Sequence, residues 1–156
     1  MKSQKSYTVD EATKVLEHFC AYQERCHKEV EQRLYDLKMI PEAKEIIILH
    51  LLQHNFLNEE RFAKAYVRGK FSIKKWGRIK IVSELKFKNI SPYNIKTALK
   101  EINEEDYFKT LQSIAEKKIV LIKEPNSFKK KSKLTTFLIS KGYETQLIYK
   151  IVNILI

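Results

Sequence analysis

Residues 85–92 read LKFKNISP, and the reading of that stretch decides the fold. Ile90 is an apolar residue preceded by Asn89 and followed at two positions by Pro92, so a helix ends and another begins within a few residues. The same corner recurs 51 residues earlier in LYDLKMIP (34–41) around Met39, and 53 residues later in LISKGYET (138–145) around Tyr143. Nine residues before each anchor stand Val30, Ile81 and Leu134, and five before it Leu34, Leu85 and Leu138. Ile47 with Ile48, Ala98 with Leu99, and Ile151 with Val152 follow at eight and nine, then Leu51, Ile102 and Leu155 at twelve. Each residue of this series is apolar. The residues just before the anchors are Lys38, Asn89 and Gly142, and Asn and Gly tolerate the left-handed conformation that closes a helix.

A period of this length with apolar spacings of three and four predicts paired helices, each pair preceded by a further helix near 8–22, 58–73 and 103–122. Three Gly, three Pro and no Asn-Gly or Asp-Gly leave little material for hairpins. The expected fold is all-α: a tandem array of three three-helix repeats, about nine helices, elongated and curved because each repeat buries its apolar face against its neighbours. The expected boundaries are 1–57 with an N-terminal extension, 58–102 and 103–156. LNEERF and INEEDY mark the seams, each with an Asn before acidic residues, as a helix start favours.

Charge divides the repeats. Residues 1–58 carry 8 cations and 9 acids, 59–88 carry 10 and 3, and 89–156 carry 12 and 7, giving −1, +7 and +5 within a total of +11. The centre is RFAKAYVRGKFSIKKWGRIK (61–80), with eight cations and no acid. On a helix starting near Asn58, Arg61, Lys64 and Arg68 share an arc while Phe62, Ala65 and Tyr66 take the adjoining face. The ridge continues through Lys70, Lys74, Lys75, Arg78 and Lys80, with Gly77 expected to let the chain turn into the next helix. Phe62, Ala63, Tyr66, Trp76 and Leu85 are expected to hold the helices together. Lys129, Lys130 and Lys131, with Lys133, open the corresponding helix of the third repeat. Such an excess favours a polyanionic or acidic partner.

Catalytic patterns are missing. His50 and His54 have a metal-compatible spacing in HLLQH, but Leu51 stands where a zinc protease has Glu and no third ligand is evident. There is no phosphate loop, nucleophile elbow or Cys-x-x-Cys, and Glu59–Glu60 and Glu104–Glu105 suit helix starts. Neither an enzyme, a metal nor a cofactor is expected. Cys20 and Cys26, taken on one helix, face apart and are expected as buried thiols. The N-terminus MKSQKSYTVDEATK has no apolar h-region and no apolar run approaches a membrane span, so a cytoplasmic protein without membrane contact is expected.

FLNEERFAKAYVRGKF followed by WGRIKIVSELKFKNIS resembles the RecX regulatory-protein family, with the likeness running from about Tyr22 to Ile154. The resemblance implies three-helix repeats and a modulator of the RecA recombinase, lodged as a monomer in the groove of the RecA filament on single-stranded DNA. Inhibition of strand exchange, ATP hydrolysis and repressor cleavage in DNA repair and the SOS response would follow. It implies contact through Arg61, Lys64, Arg68, Lys70, Lys74, Lys75, Arg78 and Lys80, extended by Lys129, Lys130 and Lys131, with single- or double-stranded DNA as a further partner. Charge reversal at Arg68, Lys75 and Arg78 together is expected to abolish inhibition and spare the fold. A plain basic module that binds DNA or RNA directly is the alternative that charge alone supports.

Overall fold

The computed structural model describes residues 6–156; residues 1–5 of the N-terminal extension lie outside the described residues. Among the described residues the chain is nine α-helices: α1 (Val9–Tyr22), α2 (His27–Asp36), α3 (Pro41–Gln53), α4 (Glu59–Ser72), α5 (Arg78–Phe87), α6 (Pro92–Leu99), α7 (Glu104–Ile119), α8 (Ser127–Ser140) and α9 (Thr145–Leu155). The helices pack in triples, α1–α3, α4–α6 and α7–α9, as the repeat requires. The 10302 Å² of exposed surface exceeds the roughly 8,200 Å² of a compact monomer of this mass, in keeping with an extended array.

The recurring corner has one physical cause. Lys38, Asn89 and Gly142 have φ of 60°, 61° and 95°, and each starts the same pair of reversed hydrogen bonds. The Lys38, Asn89 and Gly142 N–H groups donate to Tyr35, Lys86 and Ile139 carbonyls, and those of Met39, Ile90 and Tyr143 to Leu34, Leu85 and Leu138. This closure satisfies carbonyls that the helix end leaves open and brings the anchor against the residue five before it. Leu34, Leu85 and Leu138 are accordingly fully buried, with Val30, Ile81 and Leu134 one turn earlier. Pro41 and Pro92 then stand at the first turn of the next helix, where no N–H is needed.

Helix starts follow the sequence too. Asn58, Ser91, Asn103 and Asn126 accept backbone N–H groups from the third residue beyond them. Thr8 and Glu11 form a reciprocal capping box at α1. Cys20 and Cys26 do not share a helix: α1 ends at Tyr22, as the expected 8–22 has it, Cys20 lies on it, and Cys26 precedes α2 as its N-cap. Both are buried free thiols.

The joints between triples differ. The second and third triples share one continuous core, including Phe62, Ile81, Leu85, Tyr107, Leu134 and Tyr143. The first triple closes its own core around Leu16, Val30, Leu34, Ile47 and Leu51, sending only Cys26 into the other.

Candidate functional site

The basic stretch begins on α4. Phe62, Ala63 and Val67 are buried, which turns Arg61, Lys64 and Arg68 toward the outer faces. Acids distant in sequence meet them there. Arg61 Nε lies 2.5 Å from Glu24 Oε1, and Arg68 Nη1 lies 3.4 Å from Glu101 Oε1. Lys64 pairs with Glu60 one turn back at 3.0 Å. The charge of 61–80 is therefore partly compensated, by acids that lie outside the acid-free stretch, one of them on α4 itself.

Arg78 is the furthest from expectation. Its Nη2 and Nε donate to Glu144 Oε2 at 2.6 and 3.0 Å, its Nη1 to Glu104 Oε1 at 2.5 Å, and its guanidinium lies 3.9 Å from the centre of the Tyr107 ring. Tyr107 OH accepts the Arg78 N–H at 3.0 Å and donates to Glu144 Oε1. Burial opposes the Arg78 charge, but the bonds to Glu104 and Glu144 outweigh it and hold the side chain more firmly protonated than an ordinary arginine. Burial first, and the Glu144 bond second, raise Tyr107 well above the usual tyrosine range. This arginine clamps the third triple to the second; it is not a ready surface contact.

The glycine beside it is explained by space. Gly77 has an ordinary φ of −77°, so the turn itself does not require glycine. Its N–H donates to Lys141 O at 2.8 Å and the Ile79 N–H to Gly142 O at 2.9 Å, bringing the two corners together. A Cβ at Gly77 would lie 2.3 Å from the Gly142 carbonyl. Gly142 needs its hydrogen twice over, for its positive φ and because a Cβ there would meet Lys80 Cβ at 2.3 Å. Tyr143 OH closes the joint on Lys75 O at 2.8 Å.

Four cations of the stretch have no carboxylate partner among the described residues: Lys70, Lys74, Lys75 and Lys80. Trp76, half-buried against the shared core, lies between two of them, with Lys70 Nζ 4.9 Å and Lys80 Nζ 4.4 Å from the ring centre. Tyr66 has Lys70 at 5.3 Å and Lys88 at 5.8 Å. Lys74 and Lys75 are exposed, and Lys75 borders a groove against α7 with Lys109 and Lys117, two residues the sequence reading did not single out. Periodicity along α7 was the available signal, but only the packing shows that it faces Lys75. Lys129, Lys130 and Lys131 occupy the first turns of α8 with no acid in the first turn, so they add to the positive potential of the helix start. Among the described residues no group of His, Cys, Asp and Glu is arranged to hold a metal, and His50 instead contacts Glu17 at 2.9 Å.

Residues 58–99 match the model of the second three-helix domain of RecX, and residues 104–152 that of the third. The regulatory protein RecX of Pelodictyon phaeoclathratiforme is 30% identical over 128 residues, covering 82% of this chain and 78% of the relative. The chain belongs to the RecX family. The RecX of Clostridium perfringens strain 13 is 31% identical over 122 residues and 77% of this chain, which spans 57% of that relative's length. The crystal structure of RecX from Lactobacillus salivarius shares the fold with a TM-score of 0.84 at 24% identity, covering 94% of this chain and 96% of that one. Among the described residues no helix is long and apolar enough to cross a membrane.

Proposed function

We propose that this RecX-family chain regulates by binding: as a cytoplasmic monomer it engages the RecA filament on single-stranded DNA and modulates, mostly inhibits, the ATPase, recombinase and coprotease activities of RecA. The observation that carries the reading is family membership joined to a set of cations on the second repeat without a carboxylate partner among the described residues, Lys70, Lys74, Lys75 and Lys80. An array with many small contact points suits a helical groove, because weak contacts along a repeating partner sum without a deep pocket. Arg61, Lys64 and Arg68 flank the set, while Arg78 contributes by fixing the third repeat, with its Lys129–Lys131 cluster, in place.

RecA ATPase on single-stranded DNA, measured with increasing amounts of this chain, is expected to fall. An unchanged rate at every ratio would remove the proposal. Direct binding to DNA or RNA is the second reading, favoured by the +7 of residues 59–88 and the +5 of residues 89–156. If it describes the whole activity, affinity for free nucleic acid is high and falls steeply with salt while RecA is unaffected.

A further inference from the structure

We infer that the groove between the end of α7 and the face of α8 is a binding site for single-stranded nucleic acid, with Phe137 as the surface on which a base stacks. The groove is lined by Lys118, Lys123, Ser132, Lys133, Thr136 and Phe137, with Leu121 and Ile122 on its apolar side. Phe137 packs against the shared core and is only half-buried. Over its ring stand two ammonium groups, Lys118 Nζ at 4.6 Å and Lys141 Nζ at 5.6 Å from the centre. Base stacking asks for an aromatic face with cations beside it, the cations serving the phosphates on either side. In this arrangement the two lysines hold the face until a base displaces them, and their flexible stems let them swing onto the backbone.

Charge selects the ligand. The groove at the first joint includes Glu29 and Asp36, and the groove beside Lys75 includes Asp106, whereas no acid lines the α7–α8 groove. The nearby Glu124 is occupied, accepting from the Asn126 N–H at 3.2 Å and from Lys133 Nζ at 3.3 Å. Lys129 lies one turn before Lys133 on α8 and extends the cationic edge. Ser132 and Thr136 supply neutral donors of the kind that meet phosphate and sugar oxygens. A concave site with an aromatic floor and hydroxyls fits a strand with exposed bases better than a flat anionic bilayer, although Leu121, Val120 and Phe128 are exposed nearby. The inference deepens the proposed function, on which it rests for its strand, by assigning DNA to the third repeat and leaving the second to protein contacts.

The test is fluorescence anisotropy of a labelled oligothymidylate of about fifteen nucleotides with the full chain, across a salt series. Wild type is expected to bind at low salt. Lys118→Glu with Lys123→Glu should weaken binding at least tenfold and flatten the log–log salt slope by about 1.4, near 0.7 for each lost phosphate contact. Phe137→Leu, which keeps the apolar packing, should weaken binding by roughly tenfold with the slope unchanged, a pattern that lost packing alone would not give. Absence of wild-type binding, or variants within twofold of it, would overturn the inference. So would variants that lose only phosphatidylserine vesicles and keep the oligonucleotide. RecA ATPase run in parallel separates the two readings: variants that lose the oligonucleotide while wild type leaves RecA untouched remove the proposed function and keep this site, and the reverse pattern removes the site alone.

Discussion

The two joints of the array are built from different material. Between the second and third repeats the core is continuous, two glycine corners meet backbone to backbone, and Arg78, Tyr107, Glu104 and Glu144 form a closed network. Between the first and second, the cores are separate and the contacts are mainly polar: Arg61 with Glu24, and Lys28 Nζ on Phe87 O at 3.0 Å. Glu24 Oε2 is buried there without a hydrogen-bond partner among the described residues, so the joint leaves a polar atom unsatisfied where the other satisfies its own. One repeat can thus be joined rigidly or loosely, depending on whether apolar area and backbone approach accompany the charge. The second and third repeats form one body, and the first is attached to it.

The glycine pair breaks that comparison most sharply. Gly142→Ala combines a strained φ with overlap on Lys80, and a loss of at least about 3 kcal/mol is expected in urea denaturation. Gly69→Ala is the control: nothing lies near its Cβ, it sits inside α4, and it should gain about 0.5–1 kcal/mol. Equal effects would show that the corner contact does not hold the joint.

Arginine replacements compare the networks directly. Arg78 and Glu144 have side chains only 22% and 24% exposed, so Arg78→Met should cost about 2 kcal/mol. Arg61→Met, at the more open joint with side chains 36% and 30% exposed, should cost about 1 kcal/mol or less in the same assay.

Alkaline pH approaches the same contrast from the tyrosines. Burial raises Tyr107 and Tyr143 above the ordinary tyrosine range, and burial with Glu84 pushes Tyr66 up to about 12. Below about pH 10 both folded and unfolded chains keep these protons. Above it the unfolded chain releases them while the folded one retains them, so stability falls as pH rises through this window. Absorbance at high pH is expected to show these three tyrosines ionising late, together with unfolding. Early ionisation would place them nearer water than the joint allows. A small effect belongs to the first repeat, where Lys38→Gly should relieve a non-glycine positive φ and gain about 1 kcal/mol by thermal denaturation.

What the sequence could reveal was what short-range forces decide. Corners at Lys38, Asn89 and Gly142, caps at Asn58, Ser91 and Asn103, and the apolar ladders all depend on residues within a dozen positions, so the three triples were readable. The joint was not, because Glu144 lies 66 residues from Arg78 and Glu101 lies 33 from Arg68, and no local pattern pairs them. Gly77 illustrates the limit: a turn accounts for a glycine as well as a close contact does, and only the Gly142 carbonyl against it distinguishes the two. The break after α1 was legible at 8–22, although QER at 23–25 holds neither proline nor glycine, and Cys20 and Cys26 are the buried thiols expected, on either side of it.

The charge-reversal test expected from the stretch alone included Arg78, whose loss would loosen the joint and confuse the result. Arg68, Lys74 and Lys75 avoid the clamp. RecA ATPase on single-stranded DNA with the Arg68→Glu, Lys74→Glu, Lys75→Glu chain, its helicity and melting verified against wild type, tests the second-repeat surface most directly. The rate should return to that of RecA alone, whereas a folded triple variant that inhibits as wild type does would contradict the assignment.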